Sequence, residues 1–338
     1  MIKISIMVAA YNVEKYIERC MDSLVNQTLR DIEIIVVNDG STDETLNKIL
    51  QYSRNDKRVI VIDKENEGLI EARKSGIENS NGEYLLFVDG DDWIAEDTCE
   101  KLYSKAISLD LDIVNYGLYY AFDDRLEEEK INDFDIMVKD EYLKNVLLNK
   151  IRANIVMQMV KRNFFENNKI IFPNNISYAE DLAITIALAC NKPKVATVNE
   201  PLYYYYQREN SITNKISKKV FDVELAIKWI ENILEEKKYL EIYKNELEYL
   251  KYIHLYYYRV IAVEYNGPIH KELYDRWKAK NINIKKNNYI ISFEKNLNLR
   301  IRIKLWAYDI NYNFGAMYSR MYRKVVSIIK VSKQFKYL

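Results

Sequence analysis

Three carboxylates fall within four positions at Asp89-Gly90-Asp91-Asp92, directly after the apolar run Tyr84-Leu85-Leu86-Phe87-Val88. Like charges this close raise one another's pKa. A hard divalent cation with oxygen ligands removes that penalty. An isolated acidic turn is otherwise a solvated loop, so its neighbours in space must decide. A second acidic pair, Glu180-Asp181, opens an apolar stretch that runs to Ala189. Carboxylates at a helix start complement the dipole, and by pattern alone this pair reads as capping.

The elements that must position these groups are legible in the first 95 residues. Ile4 to Ala10 reads as a strand. The stripe Val13, Tyr16, Ile17, Met21, Leu24 and Val25 reads as a helix, with Asn12 its expected N-cap. Ile32 to Val37 is the next strand. It ends in Asn38-Asp39-Gly40-Ser41-Thr42-Asp43, where Gly40 suits a tight turn and Ser41 or Thr42 is the expected cap. Val59 to Ile62 is followed by Asn66-Glu67-Gly68 and a helix carrying Ala72, Arg73 and Gly76. Tyr84 to Val88 makes the fourth strand, continuous in apolar residues as a strand covered on both faces is. Alternation of strand and helix implies a mostly parallel sheet flanked by helices. Parallel strands bring all their C-terminal turns to one edge, where ligands bind in such folds. Tyr11, Asn12, Asp39, Arg73 and Asp89 to Asp92 are therefore expected to converge.

That edge lacks the Gly-x-Gly-x-x-Gly of dinucleotide binding after its first strand, and it lacks a P-loop. Its acids follow strands two and four. A carboxylate that reads a base or ribose, an acidic cluster for a metal and a nearby cation describe a nucleoside diphosphate held through Mg²⁺ or Mn²⁺.

In this respect the chain resembles family 2 glycosyltransferases of the GT-A fold. The matching residues are Val8-Ala9-Ala10-Tyr11-Asn12, Val36 to Asp43, Asn66-Glu67-Gly68 with Ala72-Arg73, and Leu86 to Asp92. The four motifs cover roughly residues 3–95, with weaker extension to residue 214. The resemblance implies a nucleotide-sugar donor, usually a UDP-sugar, and inversion at the anomeric carbon. It places Ala10, Tyr11 and Asn12 at the nucleobase, with Asp39 bonding the base and Asn66 beside it. Arg73 would lie near the nucleotide, Asp89 and Gly90 at ribose or sugar, and Asp91, with Asp89, on an Mn²⁺ or Mg²⁺ ion. It further implies Asp181 as catalytic base, Glu180 as its support or an acceptor contact, and Arg208 and Ser211 closing over the diphosphate. Two residues depart from the pattern: Lys74 stands where Asn is common, and Ala179 where Gly is common. The role of Asp92 is open, with capping of a helix from Trp93 as one option.

Residues 1–214 are expected to form the GT-A domain, with 1–95 the donor half and 96–214 the acceptor half. Ala95 to Leu109 and Asp140 to Asn149 read as helices, and Asp112 to Tyr120 as a strand. Asp123 to Lys130 reads as a solvated charge run. Val195 to Val198 and the four tyrosines Tyr203 to Tyr206 read as strand, the tyrosines as packed sheet aromatics. Residues 215–338 read as mainly helical, with two helices in 218–262. The alternating Leu299 to Trp306 has a strand period. His254 and His270 are isolated and suggest no metal site.

Acidic and basic residues balance at 50 each, but residues 295–338 hold ten Lys and Arg against Asp309 alone, leaving 40 basic and 49 acidic elsewhere. Tyr318 to Lys333 reads as a basic amphipathic helix, suited to an anionic membrane surface or to docking on the protein. No nucleic-acid recognition motif accompanies it. Cys20, Cys99 and Cys190 are widely spaced, which argues against disulfides and zinc and for a reducing compartment. No apolar run approaches a spanning helix or a signal peptide. The expectation is a cytoplasmic enzyme, with a peripheral place on the inner face of the membrane as one option, that transfers sugar to a hydroxyl of a glycan, lipid-linked or cell-surface polymer acceptor. Two alternatives stand beside it: an inactive sugar-nucleotide-binding assembly partner, and a nucleotidyltransferase, which would need a phosphate-cradling loop that Ala9-Ala10-Tyr11-Asn12 is not.

Overall fold

The computed structural model describes the chain except residues 130, 132, 133, 135, 175, 209–217, 264–266, 283 and 335–338, and the side chains of 325–334. The chain separates into two units, Met1–Lys215 with Leu225–Tyr239, and Ile216–Glu224 with Leu240–Leu338.

The first unit is built on a nine-stranded sheet. Strands β1 (Ile4–Ala10), β2 (Ile32–Asp39), β3 (Val59–Lys64) and β4 (Tyr84–Asp89) alternate with helices α1 (Ile17–Val25), α2 (Thr45–Asn55) and α3 (Leu69–Glu78). Their spatial order is β3-β2-β1-β4, all parallel. The chain leaves β1 toward β2 on one side and returns as β4 on the other, so a topological switch point opens between β1 and β4. Residues of β1, β2 and β4 are almost entirely buried, as their continuous apolar sequences require. Gly76 lets α3 sit on β1, since a Cβ there would stand 3.1 Å from the Met7 side chain.

Beyond β4 the sheet becomes mixed. It continues β8 (Gln158–Lys161), β6 (Ile113–Ala121), β9 (Val195–Tyr206) and β5 (Trp93–Ile94), with β7 (Leu126–Glu129) on β6. β6 and β9 run parallel, whereas β8, β7 and β5 pair antiparallel. Helices α4 (Thr98–Leu109), α5 (Glu141–Leu147), α6 (Arg162–Asn167) and α7 (Glu180–Ala189) complete these layers.

The second unit is helical. It contains α9 (Lys244–Lys251), a π-helix over Tyr252–Ile261, α10 (Pro268–Ala279), α11 (Asn288–Asn296), α12 (Leu299–Ile310) and α13 (Tyr312–Gln334), while α8 (Asp222–Glu236) begins in this unit and continues in the first. Tyr252, Tyr256, Trp277 and Phe293 pack ring on ring in its core.

Several local expectations are corrected. Asn12 does not cap α1: it sits at φ +50°, and its Oδ1 accepts from the Thr42 N–H at 2.8 Å. Ser41 and Thr42 do not cap α2 either. Ser41 Oγ accepts from the Asn12 N–H at 3.0 Å, and Asp43 Oδ1 takes the Thr45 N–H at 3.0 Å. Both residues are recruited to tie the first two turns together. The charge run after Asp123 includes strand β7, whose backbone pairs with β6 while its glutamates stay at the surface. Leu299 to Trp306 is helix, with Asn298 Oδ1 accepting from the Ile301 N–H at 3.0 Å as its cap.

Candidate functional site

The edge of the sheet at the switch point gathers four groups of residues. The first is the tie between Asn12 and the turn after β2, described above. Beside it Tyr11 stands 50% exposed, and Ala10 is buried at the end of β1.

The second group centres on Asp39, which is buried. Its Oδ1 accepts from the Glu67 N–H at 2.9 Å and its Oδ2 from the Gly68 N–H at 2.8 Å. Asn66 Nδ2 donates to the Asp39 carbonyl at 2.9 Å. Gly40 permits this closeness: at φ +70° a Cβ would meet the Asn66 nitrogen at 2.6 Å. Asp39 thus shapes the turn before α3, which carries Arg73.

The third group is an ion cluster around Arg73, 3% exposed. Nη1 lies 2.8 Å from Asp181 Oδ1 and 3.8 Å from Glu180 Oε1, and Nη2 lies 3.2 Å from Asp89 Oδ1. One guanidinium therefore joins the end of β4 to the first turn of α7. Burial opposes the Arg73 charge, but Asp181, Asp89 and Glu180 outweigh it and hold the group protonated. Burial, then the Asp181 charge, push the Glu180 carboxyl up to about 7 against the pull of Arg73. Burial also raises Asp181, with Arg73 opposing. Ala179 precedes the pair at φ +68°, a left-handed conformation that favours glycine.

The fourth group is the acidic turn itself. Gly90 donates its N–H to the Ala9 carbonyl at 3.0 Å, and a Cβ on it would crowd that oxygen and Val13. Asp91 Oδ2 lies 3.0 Å from Arg208 Nε. Burial raises the Asp91 pKa, Asp89 adds to this, and Arg208 opposes it. Asp92 is buried and caps no helix. Its Oδ2 accepts from the Tyr203 hydroxyl at 2.7 Å and its Oδ1 from the Tyr206 N–H at 2.8 Å. Tyr203 in turn accepts from the Asp89 N–H at 3.1 Å. Asp92 thus fastens the acidic turn to the end of β9, two residues before Arg208.

Of the residues expected at the site, Ala10, Tyr11, Asn12, Asp39, Asn66, Arg73, Asp89, Gly90, Asp91, Glu180, Asp181 and Arg208 lie in these groups. Ser211 lies outside the described residues. Sequence reasoning missed Tyr203, whose neighbours in a run of four tyrosines hid it, and Arg19. The Arg19 guanidinium stacks on Trp93 at 3.7 Å and on Tyr206 at 4.4 Å, and its Nη2 donates to the Asp91 carbonyl at 3.2 Å. No local pattern marks either residue.

The parallel strands end in a carboxylate-lined switch point, and comparison with known proteins gives the family. The model of Glycosyl transferase family 2 matches residues 5–173. The chain belongs to that family and is a glycosyltransferase. EpsH of Bacillus subtilis (strain 168), whose name assigns it to the glycosyltransferases, is 34% identical over 256 residues, covering 74% of each chain. The poly(ribitol-phosphate) beta-glucosyltransferase of Bacillus spizizenii is 33% identical over 212 residues, 60% of this chain and 32% of that one. Among solved structures, TarS 1-349 of S. aureus in complex with UDP-GlcNAc superposes with a TM-score of 0.70 at 19% identity, over 95% of this chain and 92% of that one. This last likeness concerns the fold.

Proposed function

We propose that the protein is an inverting glycosyltransferase that moves a sugar from a UDP-sugar to a hydroxyl of a glycan, lipid-linked or cell-surface polymer acceptor. The observation that carries the reading is the Arg73 bridge, which ties Asp89 on the donor side to Asp181 at the head of α7. Residues 1–95 would hold the donor and 96–214 the acceptor. The structural relative named for its UDP-GlcNAc complex supports a uridine nucleotide.

In this reading Ala10, Tyr11, Asn12, Asp39 and Asn66 surround the base, and Asp89 and Gly90 the ribose or sugar. Arg208, paired with Asp91, would meet the diphosphate. Asp91 and Asp89 offer hard carboxylate oxygens side by side on one turn, and burial of Asp91, which raises its pKa, disfavours leaving that carboxylate charged without a cation. That donor set fits Mg²⁺ or Mn²⁺, which commonly take one or two protein carboxylates and complete their shell with substrate phosphate and water. Bound there, the ion would stabilise charge on the departing diphosphate.

Asp181 Oδ1 is held by Arg73, which leaves Oδ2 to take the proton of the acceptor hydroxyl. The acceptor oxygen then bonds to the anomeric carbon from the face opposite the diphosphate, and the bond to the diphosphate breaks. Burial makes Asp181 a stronger base than a surface carboxylate. Glu180, partly protonated near neutrality, supports it or donates to the acceptor.

Binding and hydrolysis of UDP-, GDP- and dTDP-sugars with and without Mn²⁺ tests this. A UDP-sugar preference that depends on the ion supports the reading; no nucleotide preference and no metal effect overturns it. Asp181→Asn keeps an oxygen for Arg73 and loses the base, so donor binding survives while transfer falls about 10²–10⁴-fold. Loss of donor binding instead would place the base elsewhere.

A further inference from the structure

Helix α12 carries apolar side chains on both its faces. Its inward face buries Leu305, Ala307, Tyr308 and also Lys304, whose Nζ donates to the Val263 carbonyl at 2.7 Å. Its outward face carries Leu299, Ile303, Trp306 and Ile310, which are 70%, 38%, 59% and 50% exposed. Their spacing of four, three and four residues puts them on one stripe. The stripe continues onto α13: the Trp306 ring meets Phe314 at 5.7 Å, and Met317 and Met321 are 44% and 59% exposed. A soluble face would place charge here and apolar side chains within. The basic residues surround the stripe instead. Arg302, Arg320, Arg323 and Lys324 are exposed, and the only acid in 295–338, Asp309, is paired with Lys278 at 3.2 Å.

We propose that this face docks on an anionic lipid surface. Leu299, Ile303, Trp306, Ile310 and the two methionines enter the boundary between headgroups and acyl chains, and the arginines meet lipid phosphates. An aromatic ring with a polar N–H suits that boundary. The charge selects this occupant over a second copy of the chain, because self-association through one patch sets the basic rims against each other. Among the described residues no helix is long and apolar enough to cross a membrane, so this contact lies in the plane of the surface. This surface differs from the alternating strand that the sequence suggests at Leu299 to Trp306, and it is independent of the catalytic assignment.

Flotation of the full chain with phosphatidylglycerol–phosphatidylcholine vesicles, and with pure phosphatidylcholine vesicles, tests it. The chain floats with the first and stays below with the second, and added salt weakens the binding. Ile303→Ser with Trp306→Ser lowers the vesicle partition coefficient about 100-fold, since two large side chains no longer enter lipid. Arg302→Gln with Arg320→Gln lowers it about 30-fold. Because Ile303 is 38% exposed and Trp306 touches Phe314, circular dichroism first checks that the serine variant stays folded, and the arginine pair, both exposed, gives a second variant that leaves those contacts in place. A blue shift of tryptophan emission on vesicle binding disappears in Trp306→Phe. The proposal is overturned if the chain ignores anionic vesicles, if the serine variant floats undiminished, or if the chain is a dimer that the serine variant dissociates without lipid.

Discussion

Replacing Arg73 tests whether the site is held together by one buried cation. Its two terminal nitrogens engage Asp181 at 2.8 Å and Asp89 at 3.2 Å. Arg73→Lys keeps the charge, but a single ammonium cannot serve both carboxylates in that geometry. One charge-assisted hydrogen bond is lost, at about 1.5–3 kcal/mol. Arg73→Met removes the charge and leaves Asp89, Glu180 and Asp181 without it. Breaking a buried ion pair from one side costs about 3–5 kcal/mol, and the partial exposure of Asp89 favours the lower end. Urea melts followed by circular dichroism read the loss as a midpoint shift of about 1–2 M at unchanged slope. The decisive arm is a cycle with Asp181→Asn. In wild type that change weakens the Arg73 pair, whereas in the Arg73→Met background it relieves repulsion, so the double variant is more stable than the two losses summed. Additive losses, or an Arg73→Met variant that melts with wild type, would refute the bridge.

Other consequences follow from single residues. Burial, with Asp181 beside it, pushes the Glu180 carboxyl up from the ordinary 4.5 to about 7. Between those values the folded state retains a proton that the unfolded state has released, so the Glu180 contribution to stability falls as pH rises through this window and levels above it. Glu180→Gln removes that contribution, and the difference between the two melting curves should track it; a difference independent of pH contradicts the raised pKa. Tyr203→Phe deprives buried Asp92 of a 2.7 Å donor and the Asp89 N–H of its acceptor, costing about 1.5–3 kcal/mol and raising KM for the donor more than it lowers kcat. Calorimetry and initial rates check this, and an unshifted melt would show that the tie carries no weight. Ala179→Gly relieves the left-handed φ of +68° and gains about 0.5–1 kcal/mol, whereas Ala179→Val loses about 1–2 kcal/mol. Melting temperatures of the two variants moving the same way would exclude backbone strain at this position.

The first half of the sheet is legible in the chain because its signals are local. Continuous apolar runs at β1, β2 and β4 specify buried strands, and each ends in polar residues that parallel packing must bring to one edge. The motifs at Ala10 to Asn12, Asp39 and Asp89 to Asp91 ride on those ends and Arg73 follows in α3, so the chain names residues that the fold then brings to one edge. Partnership is what sequence cannot state. Asp92 finds Tyr203 and Arg73 finds Asp181 at separations of 111 and 108 positions, and no periodicity encodes either pairing. The caps expected at Asn12, Ser41 and Thr42 failed for the same reason, because neighbouring turns claimed those side chains. Leu299 to Trp306 failed by the opposite route. Alternation signals a strand only when polar residues face water, and here tertiary packing buries Lys304 and turns Trp306 outward. The chain by itself determined the alternating strands and helices of the first 95 residues, the acidic turn and the family. Tertiary structure alone decided which carboxylate shares which cation, since that depends on distances between elements that are remote in sequence.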